Sequence, residues 1–244
     1  MSPSDIVNIM SDDEEDYHDQ LAMDFRGQIV PPSDEAVRST ERVLDLFAEY
    51  GVRATFFILG EIAEHFPHLV RRIGRQGHHL GVHGFYHHRI FLLTPDEFRR
   101  SLDKARKLIE DLTGRPVDAH RAVAFSIDRD TLWAMDVLVD LGFKYDSSFY
   151  PFRGRSYGLP AAPRAPYRHT LPDGRSIWEV PLSTVEWLGK RWPVCGGGYL
   201  RHFPLALTVR AIRRLHEEGI PAVVYMHPYE LEVSPRIEPL QNMS

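Results

Sequence analysis

Short apolar segments alternate with helical patterns along almost the entire chain, and this order restricts the possible folds most strongly. Residues 6–10, 53–60 and 79–84 are apolar over lengths typical of buried strands. Residues 36–51 and 128–142 instead have apolar side chains at helical spacing. Such alternation is typical of parallel strands connected by helices. About seven repeats of it predict one barrel-like α/β domain.

One helix start is marked clearly by its residues. Thr94 stands at the N-cap, Pro95 at the first helical position, and Glu97 three residues after the cap. This combination is a capping box, in which the cap and the glutamate satisfy each other's backbone N–H groups. It predicts a helix that extends to about Thr113 and ends at Gly114.

Two stretches rich in glycine or proline are predicted to be loops. Residues 150–175 contain many Pro, Gly and Arg residues without periodicity, which predicts a long irregular connection that forms a lid or binding wall. Residues 195–199 read CGGGY and lack the GK[ST] ending of a phosphate loop. They predict a tight turn that approaches a ligand or another backbone.

Charge and cysteine content exclude several classes of protein. The chain of 244 residues has a net charge of −5, which argues against nucleic acid as the main partner because phosphate binding needs a basic surface. Cys195 is the single cysteine, so an intrachain disulfide and a cysteine-rich zinc site are excluded. No apolar stretch approaches the length of a transmembrane helix, and residues 1–18 lack the pattern of a signal peptide. These features predict a cytoplasmic location.

Two clusters of possible metal ligands lie near predicted strand ends. Residues 11–16 read SDDEED, for which a solvated acidic turn is the alternative interpretation. His83 and His87 stand four positions apart, which would place both imidazoles on one face of a helical turn. A partly exposed histidine cluster is the alternative for this pair. The other nearby histidines are predicted to lie at the surface or to contact the metal ligands without binding the metal themselves: His78, His79 and His88.

Two further residues are candidates for catalysis. Arg121 follows a short predicted strand and could orient a carboxylate through two hydrogen bonds, with a surface arginine as the alternative. His227 ends the last predicted strand and could act as a general acid, with a capped core histidine as the alternative. The chain has no GxSxG motif, so serine hydrolase chemistry has no support.

Taken in order, these segments resemble the polysaccharide deacetylase (NodB-homology, carbohydrate esterase family 4) family. More narrowly, they resemble the subgroup found with exopolysaccharide and exosortase loci. The resemblance covers nearly the whole chain, so residues 1–244 are predicted to form one such domain. Its segments are EEDYH (14–18), RATFFILG (53–60), GVHGFYHH (81–88), 94–117, HRAVAFS (120–126), FKYDSS (143–148), WEVPLST (178–184), PVCGGGY (193–199) and VVYMHPYE (223–230).

The resemblance implies a deformed (β/α) barrel of about seven parallel strands and a metal-dependent de-N-acetylase. It implies a divalent metal ion, with zinc favoured over iron, cobalt, manganese or nickel. The implied ligands are Glu15, His83 and His87.

The same resemblance implies the catalytic roles. The general base falls on Asp13, although Asp12 is an alternative, and Arg121 steadies it. His227 is the general acid, held in its protonated form by Asp146 or Glu179. The remaining implied residues bind the substrate: Ala124, Trp178 and Tyr199. A backbone N–H near Ala124 is implied to help stabilise the oxyanion.

The implied substrate is an N-acetylated amino sugar of a cell-surface polysaccharide or of its precursor, and the implied product is acetate. Two other functions compete with this one. The first is a cyclic amide hydrolase of the same fold family, and the second is a carbohydrate-binding scaffold without activity.

Overall fold

The computed structural model describes residues 6–154 and 157–231. Ten strands form one curled sheet of eight strands and a separate two-stranded hairpin. The strands are β1 (Ile9–Glu14), β2 (Thr55–Ile58), β3 (His79–Val82), β4 (Ala119–His120), β5 (Tyr145–Asp146), β6 (Tyr167–Thr170), β7 (Ser176–Glu179), β8 (Thr184–Trp187), β9 (Lys190–Pro193) and β10 (Val223–Met226).

The large sheet has the strand order β10-β1-β2-β3-β4-β5-β7-β6. Seven of its strands are parallel, and β6 alone runs antiparallel to its neighbour β7. The prediction of a single-domain, deformed (β/α) barrel with about seven parallel strands is therefore confirmed. The parallel strands bring the segments that follow them to one edge of the sheet, where sites form in such folds.

Helices cover the outer face of the curled sheet and close the apolar core. The core includes Phe56, Ile58 and Met226 from the strands, together with Val43 and Leu102 from two helices. The helices are α1 (Tyr17–Arg26), α2 (Asp34–Glu49), α3 (Gly60–His65), α4 (Pro67–Arg75), α5 (Pro95–Thr113), α6 (Trp133–Asp140), α7 (Gly198–His202) and α8 (Leu205–Glu217).

The acidic residues lie in a different place from the one predicted. Residues 6–10 were expected as the strand and SDDEED as the turn after it, but β1 contains Ser11–Glu14. β1 is paired on both sides, with Ser11 opposite Thr55 of β2 and Tyr225 of β10. The carboxylates therefore alternate between the two faces of a central strand, and the interpretation as a solvated turn is wrong.

The connection predicted to be irregular contains a strand. Within residues 150–175, Tyr167–Thr170 pairs antiparallel with β7. Residues after β7 then form the hairpin of β8 and β9, which was also not predicted. Short edge strands of mixed polarity lack the continuous apolar run that marks a central parallel strand, so the sequence pattern did not reveal them.

The local turn predictions agree with the structure. Thr94 and Glu97 form both hydrogen bonds of the capping box, and α5 ends at Gly114 in the left-handed conformation. Gly196 forms a bridge with Tyr225, and a Cβ atom on Gly196 would overlap the Tyr225 ring. The glycine-rich stretch therefore approaches another strand closely. Among the described residues, no helix combines the length and the apolar character needed to cross a membrane.

Candidate active site

Three possible metal ligands converge at the carboxyl ends of the central strands. Glu15 directly follows β1, and His83 and His87 follow β3. The Glu15 Oε2 atom lies 3.0 Å from Nε2 of His87 and 3.5 Å from Nε2 of His83. One ligand atom from each side chain lies within 4.8 Å of the other two, and all three residues are buried. We call these residues the triad.

The loop that carries the two histidines is bent rather than helical. The predicted helical turn is wrong, because residues 83–88 contain no helix and bend at residues 85–87. Gly84 has a φ angle of 106°, which a residue with a side chain rarely adopts, and this allows the chain to reverse between the histidines. Nδ1 of His83 lies 2.8 Å from the carbonyl oxygen of Arg121, so its Nε2 atom faces Glu15.

The donors of the triad fit a divalent cation. Glu15 Oε2 is buried and lies against the Nε2 atoms of both His83 and His87. Burial on its own would raise the pKa of Glu15, but the neighbouring His87 and His227 hold it well below its ordinary value. An ionised carboxylate with two imidazoles is a common donor set of catalytic zinc sites. The triad thus presents an anionic, desolvated oxygen beside two nitrogen donors.

Asp13 points to the same side of the sheet and is held by Arg121. Nη1 of Arg121 donates to Asp13 Oδ1 over 2.7 Å and to Ser11 Oγ over 2.9 Å. Nε and Nη2 of Arg121 donate to the carbonyl and hydroxyl oxygens of Ser147 instead. Arg121 is completely buried, so its interpretation as a surface arginine is wrong. It also contacts the carboxylate through one nitrogen and not through the expected pair.

Asp12 lies on the opposite face of β1. It is in register with Phe56 and Met226, which belong to the apolar core beneath the helices. Burial, reinforced by the neighbouring Glu14 and Asp13 carboxylates, raises the pKa of Asp12 well above its ordinary value. The geometry therefore favours Asp13 over Asp12 as the base, because only Asp13 faces Arg121.

His227 follows β10 and lies beside the triad. Its Nε2 atom is 3.5 Å from Glu15 Oε1, and its Nδ1 atom is 3.5 Å from Glu230 Oε2. The Glu230 carboxylate also accepts the backbone N–H of His227 over 3.0 Å. Burial would lower the pKa of His227, but the Glu15 and Glu230 carboxylates raise it to about 9.

The expected partners of His227 lie elsewhere. Asp146 Oδ1 lies 2.7 Å from Nδ1 of His120 and accepts from the Ser148 hydroxyl, and Glu179 accepts the backbone N–H of Phe149. His120 and the hydrogen bond it makes hold the pKa of Asp146 below its ordinary value, against the effect of burial. Asp146 and Glu179 thus belong to a buried network around β5 and β7, and Glu230 is the carboxylate that contacts the Nδ1 side of His227.

The three predicted substrate-binding residues lie at different places. Ala124 occupies a tight turn after β4 with a φ angle of 50°. Trp178 lies on β7, where the Arg168 guanidinium is 5.4 Å above its ring. Tyr199 is the second residue of α7 and packs against Phe203 at 5.7 Å between ring centroids. Among the described contacts, none joins Trp178 or Tyr199 to the triad.

One of the neighbouring histidines was predicted wrongly. His78 is buried between the Phe47 and Phe56 rings and accepts the backbone N–H of Ala54. It precedes β3, whereas the triad follows the strands, so it is a core residue at the opposite end of the sheet.

Comparison with known protein families matches two models to consecutive parts of the chain. Residues 32–145 match the polysaccharide deacetylase model, and residues 147–244 match a domain of unknown function, DUF3473. The large sheet contains strands from both parts.

Curated relatives match at moderate identity over limited lengths. A peptidoglycan-N-acetylglucosamine deacetylase from Bacillus cereus is 39% identical over 75 residues, which cover 31% of this chain and 27% of that protein. A peptidoglycan deacetylase from Helicobacter pylori is 34% identical over 147 residues, or 60% of this chain and 46% of that protein. The chain thus spans about a quarter to a half of the length of these relatives.

Residues 32–145 thus belong to a domain of the polysaccharide deacetylase (NodB/CE4) type. The fold of the chain matches a putative polysaccharide deacetylase from Mycobacterium smegmatis with a TM-score of 0.65 at 20% identity, over 92% of this chain and 78% of that one. An allantoinase shares the fold with a TM-score of 0.59 at 15% identity, over 91% of this chain and 78% of that one. At these identities the likeness concerns the fold alone.

Two supporting residues of this site were not identified from the sequence. Glu230 lies within the quoted HPYE segment, and its position three residues after His227 was the signal for the contact. Ser147, which holds Arg121, follows β5 and had no recognisable pattern, since only the packing of β5 beside β4 brings it to the guanidinium.

Proposed function

We propose that this protein is a metal-dependent hydrolase that removes the N-acetyl group from an amino sugar of a cell-surface polysaccharide or its precursor. The convergence of Glu15, His83 and His87 beside Asp13 and His227 carries this proposal. The similarity to deacetylases of peptidoglycan supports an N-acetylated glycan as the substrate. The exopolysaccharide subgroup and the cytoplasmic location stay predictions.

The triad would hold the metal ion. Zinc suits two imidazoles and one carboxylate best, while iron, cobalt, manganese and nickel also accept this donor set. When bound, such an ion supplies Lewis acidity that polarises the amide carbonyl and lowers the pKa of a water molecule. Nδ1 of His83 is fixed by the Arg121 carbonyl, which keeps the other ring nitrogen available for the ion.

Asp13 is suited to accept the proton of the attacking water. The hydrogen bond from Arg121 orients the carboxyl group of Asp13, whose oxygens are proton acceptors of the kind a general base requires. The water oxygen forms a bond to the acetyl carbon, and the carbonyl oxygen gains negative charge. A backbone N–H in the turn at Ala124 is suited to stabilise that charge.

His227 is suited to protonate the leaving amine. Its pKa of about 9 keeps the imidazole protonated at neutral pH, and Glu230 fixes the ring from the far side. When the C–N bond breaks, the proton from His227 goes to the sugar nitrogen, and the water oxygen stays in the released acetate. Asp13 and His227 therefore serve as base and acid on the two sides of the reacting carbon.

Acetate release tests this proposal. Purified protein is incubated with oligomers of N-acetylglucosamine after zinc loading, and acetate is measured for wild type and for His227→Ala. We expect metal-dependent release that a chelator abolishes, that added zinc restores, and that His227→Ala lowers roughly a hundredfold. Full activity in the presence of chelator would contradict metal dependence, with cyclic amide hydrolysis as the next reaction to assay. Release from no N-acetylated glycan would favour the scaffold.

A further inference from the structure

The β8–β9 hairpin and the start of α8 form an exposed apolar surface with aromatic and aliphatic side chains. Trp187 is 67% exposed, Leu188 at the hairpin tip 84%, and Leu205 at the start of α8 77%. Trp192 and Leu207 are also exposed, and both line an open groove of about 1460 Å³ between the hairpin and α8. We call this surface the hairpin face. Exposed apolar patches of this kind mark interaction sites.

The hairpin face is basic although the chain is acidic. Residues 184–214 contain six Lys and Arg residues and one acidic residue, in a chain whose net charge is −5. Lys190 and Arg210 line the groove beside its apolar residues. Arg191 and Arg214 also line it, although each forms an ion pair with a glutamate. Positive charge is thus concentrated where the apolar side chains are exposed.

The tip of the hairpin keeps an apolar residue where the backbone disfavours one. Leu188 and Gly189 have φ angles of 51° and 70°, the left-handed conformation of a two-residue hairpin turn. Asn, Asp and Gly are favoured at the first of these positions, and other residues cost about 1 kcal/mol there. Leu188 makes no compensating core contact, since it is almost fully exposed. An apolar partner outside the protein would account for leucine at this position.

We propose that the hairpin face binds the surface of an anionic phospholipid membrane. Tryptophan rings are favoured at the boundary between headgroups and acyl chains, and aliphatic tips such as Leu188 and Leu205 are suited to the apolar side of that boundary. Lys190 and Arg210 complement the acidic headgroups, because each positive charge near an anionic membrane surface favours binding of the protein to that membrane. A glycan would use the aromatic rings but not the exposed aliphatic side chains. A second copy of the chain would place the basic residues against one another.

Vesicle sedimentation tests this inference without any measurement of activity, so its outcome is independent of the proposed function. The full chain is mixed with vesicles of phosphatidylcholine alone or with phosphatidylglycerol added. We expect binding to the anionic vesicles that decreases as salt increases. Leu188→Asn suits the turn and should lower the partition coefficient roughly tenfold. Reversal of Lys190 and Arg210 to Glu should lower it roughly thirtyfold or more.

Matched substitutions on other surfaces serve as controls. Leu46→Asn removes an exposed apolar residue of α2, and Lys107→Glu with Lys144→Glu reverses two charges elsewhere. These variants should sediment like wild type. Equal sedimentation with neutral and anionic vesicles, or unchanged binding of Leu188→Asn, would overturn the inference. So would a concentration-dependent dimer that Leu188→Asn dissociates and that does not sediment with anionic vesicles.

Discussion

Four consecutive carboxylates along β1 and its carboxyl end alternate between two very different environments. Asp13 and Glu15 face the concave side of the sheet, where Arg121 and the histidines of the triad provide positive charge or hydrogen-bond donors. Asp12 and Glu14 face the helices, where Asp12 has no hydrogen-bond partner among the described residues. Residue type and sequence neighbourhood are nearly the same, so the face of the strand decides the chemistry.

The consequence is a difference in protonation. Burial raises the pKa of Glu14 to about 8, even though the Thr40 hydroxyl lowers it. The pKa of Asp12 is raised in the same direction, whereas that of Glu15 is lowered by its histidine neighbours. At neutral pH Glu14 is therefore largely protonated, whereas Glu15 is charged. Substitution by the neutral amide should therefore lower activity only for Asp13 and Glu15, on the concave side of the sheet.

The largest expected effect separates Glu15 from Glu14. Glu15→Gln removes the anionic donor of the triad and should lower the rate of acetate release roughly a thousandfold or more. Glu14→Gln replaces a side chain that is already protonated, so the rate should stay within about threefold of wild type. Equal losses of activity in both variants, measured at saturating zinc and pH 7, would show that the two faces of β1 do not differ in function.

The second effect separates Asp13 from Asp12. Asp13→Asn removes the base and should reduce kcat roughly a hundredfold, with metal content unchanged. Asp12→Asn should leave kcat near that of wild type. The measurement is steady-state acetate release by zinc-loaded enzyme. A larger loss of kcat in Asp12→Asn than in Asp13→Asn would indicate that Asp12, on the side of β1 that faces the helices, is the base.

The third effect concerns stability and pH. Because the pKa of Asp12 is raised above 3.8 in the folded protein, the folded state keeps a proton that the unfolded chain loses above that pH. Rising pH therefore costs stability until it reaches the folded pKa. Asp12→Asn removes this cost, so its gain in the free energy of unfolding over wild type should increase as the pH rises above about 4. Urea unfolding at several pH values measures it, and parallel curves for both proteins would refute the assignment.

The smallest effect concerns the contact between the Thr40 hydroxyl and the Glu14 carboxyl group. The Thr40 hydroxyl lies 2.8 Å from both carboxyl oxygens of Glu14, within the interface between β1 and α2. Thr40→Val removes this partner and should lower the free energy of unfolding by about 1–2 kcal/mol, without a change in the rate of acetate release. In a Glu14→Leu background, the same substitution should cost much less. An equal cost in both backgrounds would show that the contact does not matter.

Periodicity predicted the parallel sheet well, because central strands and their covering helices require continuous apolar patterns. The capping box at Thr94 was likewise readable, since it depends on residues three apart in the sequence. The hairpin of β8 and β9 could not be predicted from the sequence pattern, because many residues of its strands are exposed. Apolar patterns report burial, and an exposed hairpin has little of it.

The site was predictable as a set of residues but not as a geometry. His83 and His87 were identified, yet a bent loop with Gly84 joins them, and not a helical turn. The partner of His227 was sought on strands at the far side of the sheet, whereas Glu230 lies one turn further along the chain. Which carboxylates face which cations depends on strand register, and register is a property of the assembled sheet.

The metal content of the purified protein tests directly whether Glu15, His83 and His87 bind the ion. Wild type, Glu15→Gln and Glu14→Gln are loaded with zinc, dialysed, and analysed by plasma mass spectrometry alongside His83→Ala. We expect about one ion per chain in wild type and Glu14→Gln, and almost none in Glu15→Gln and His83→Ala. An ion that persists in Glu15→Gln, or that is lost in Glu14→Gln, would contradict the assignment of the site to the concave face of β1.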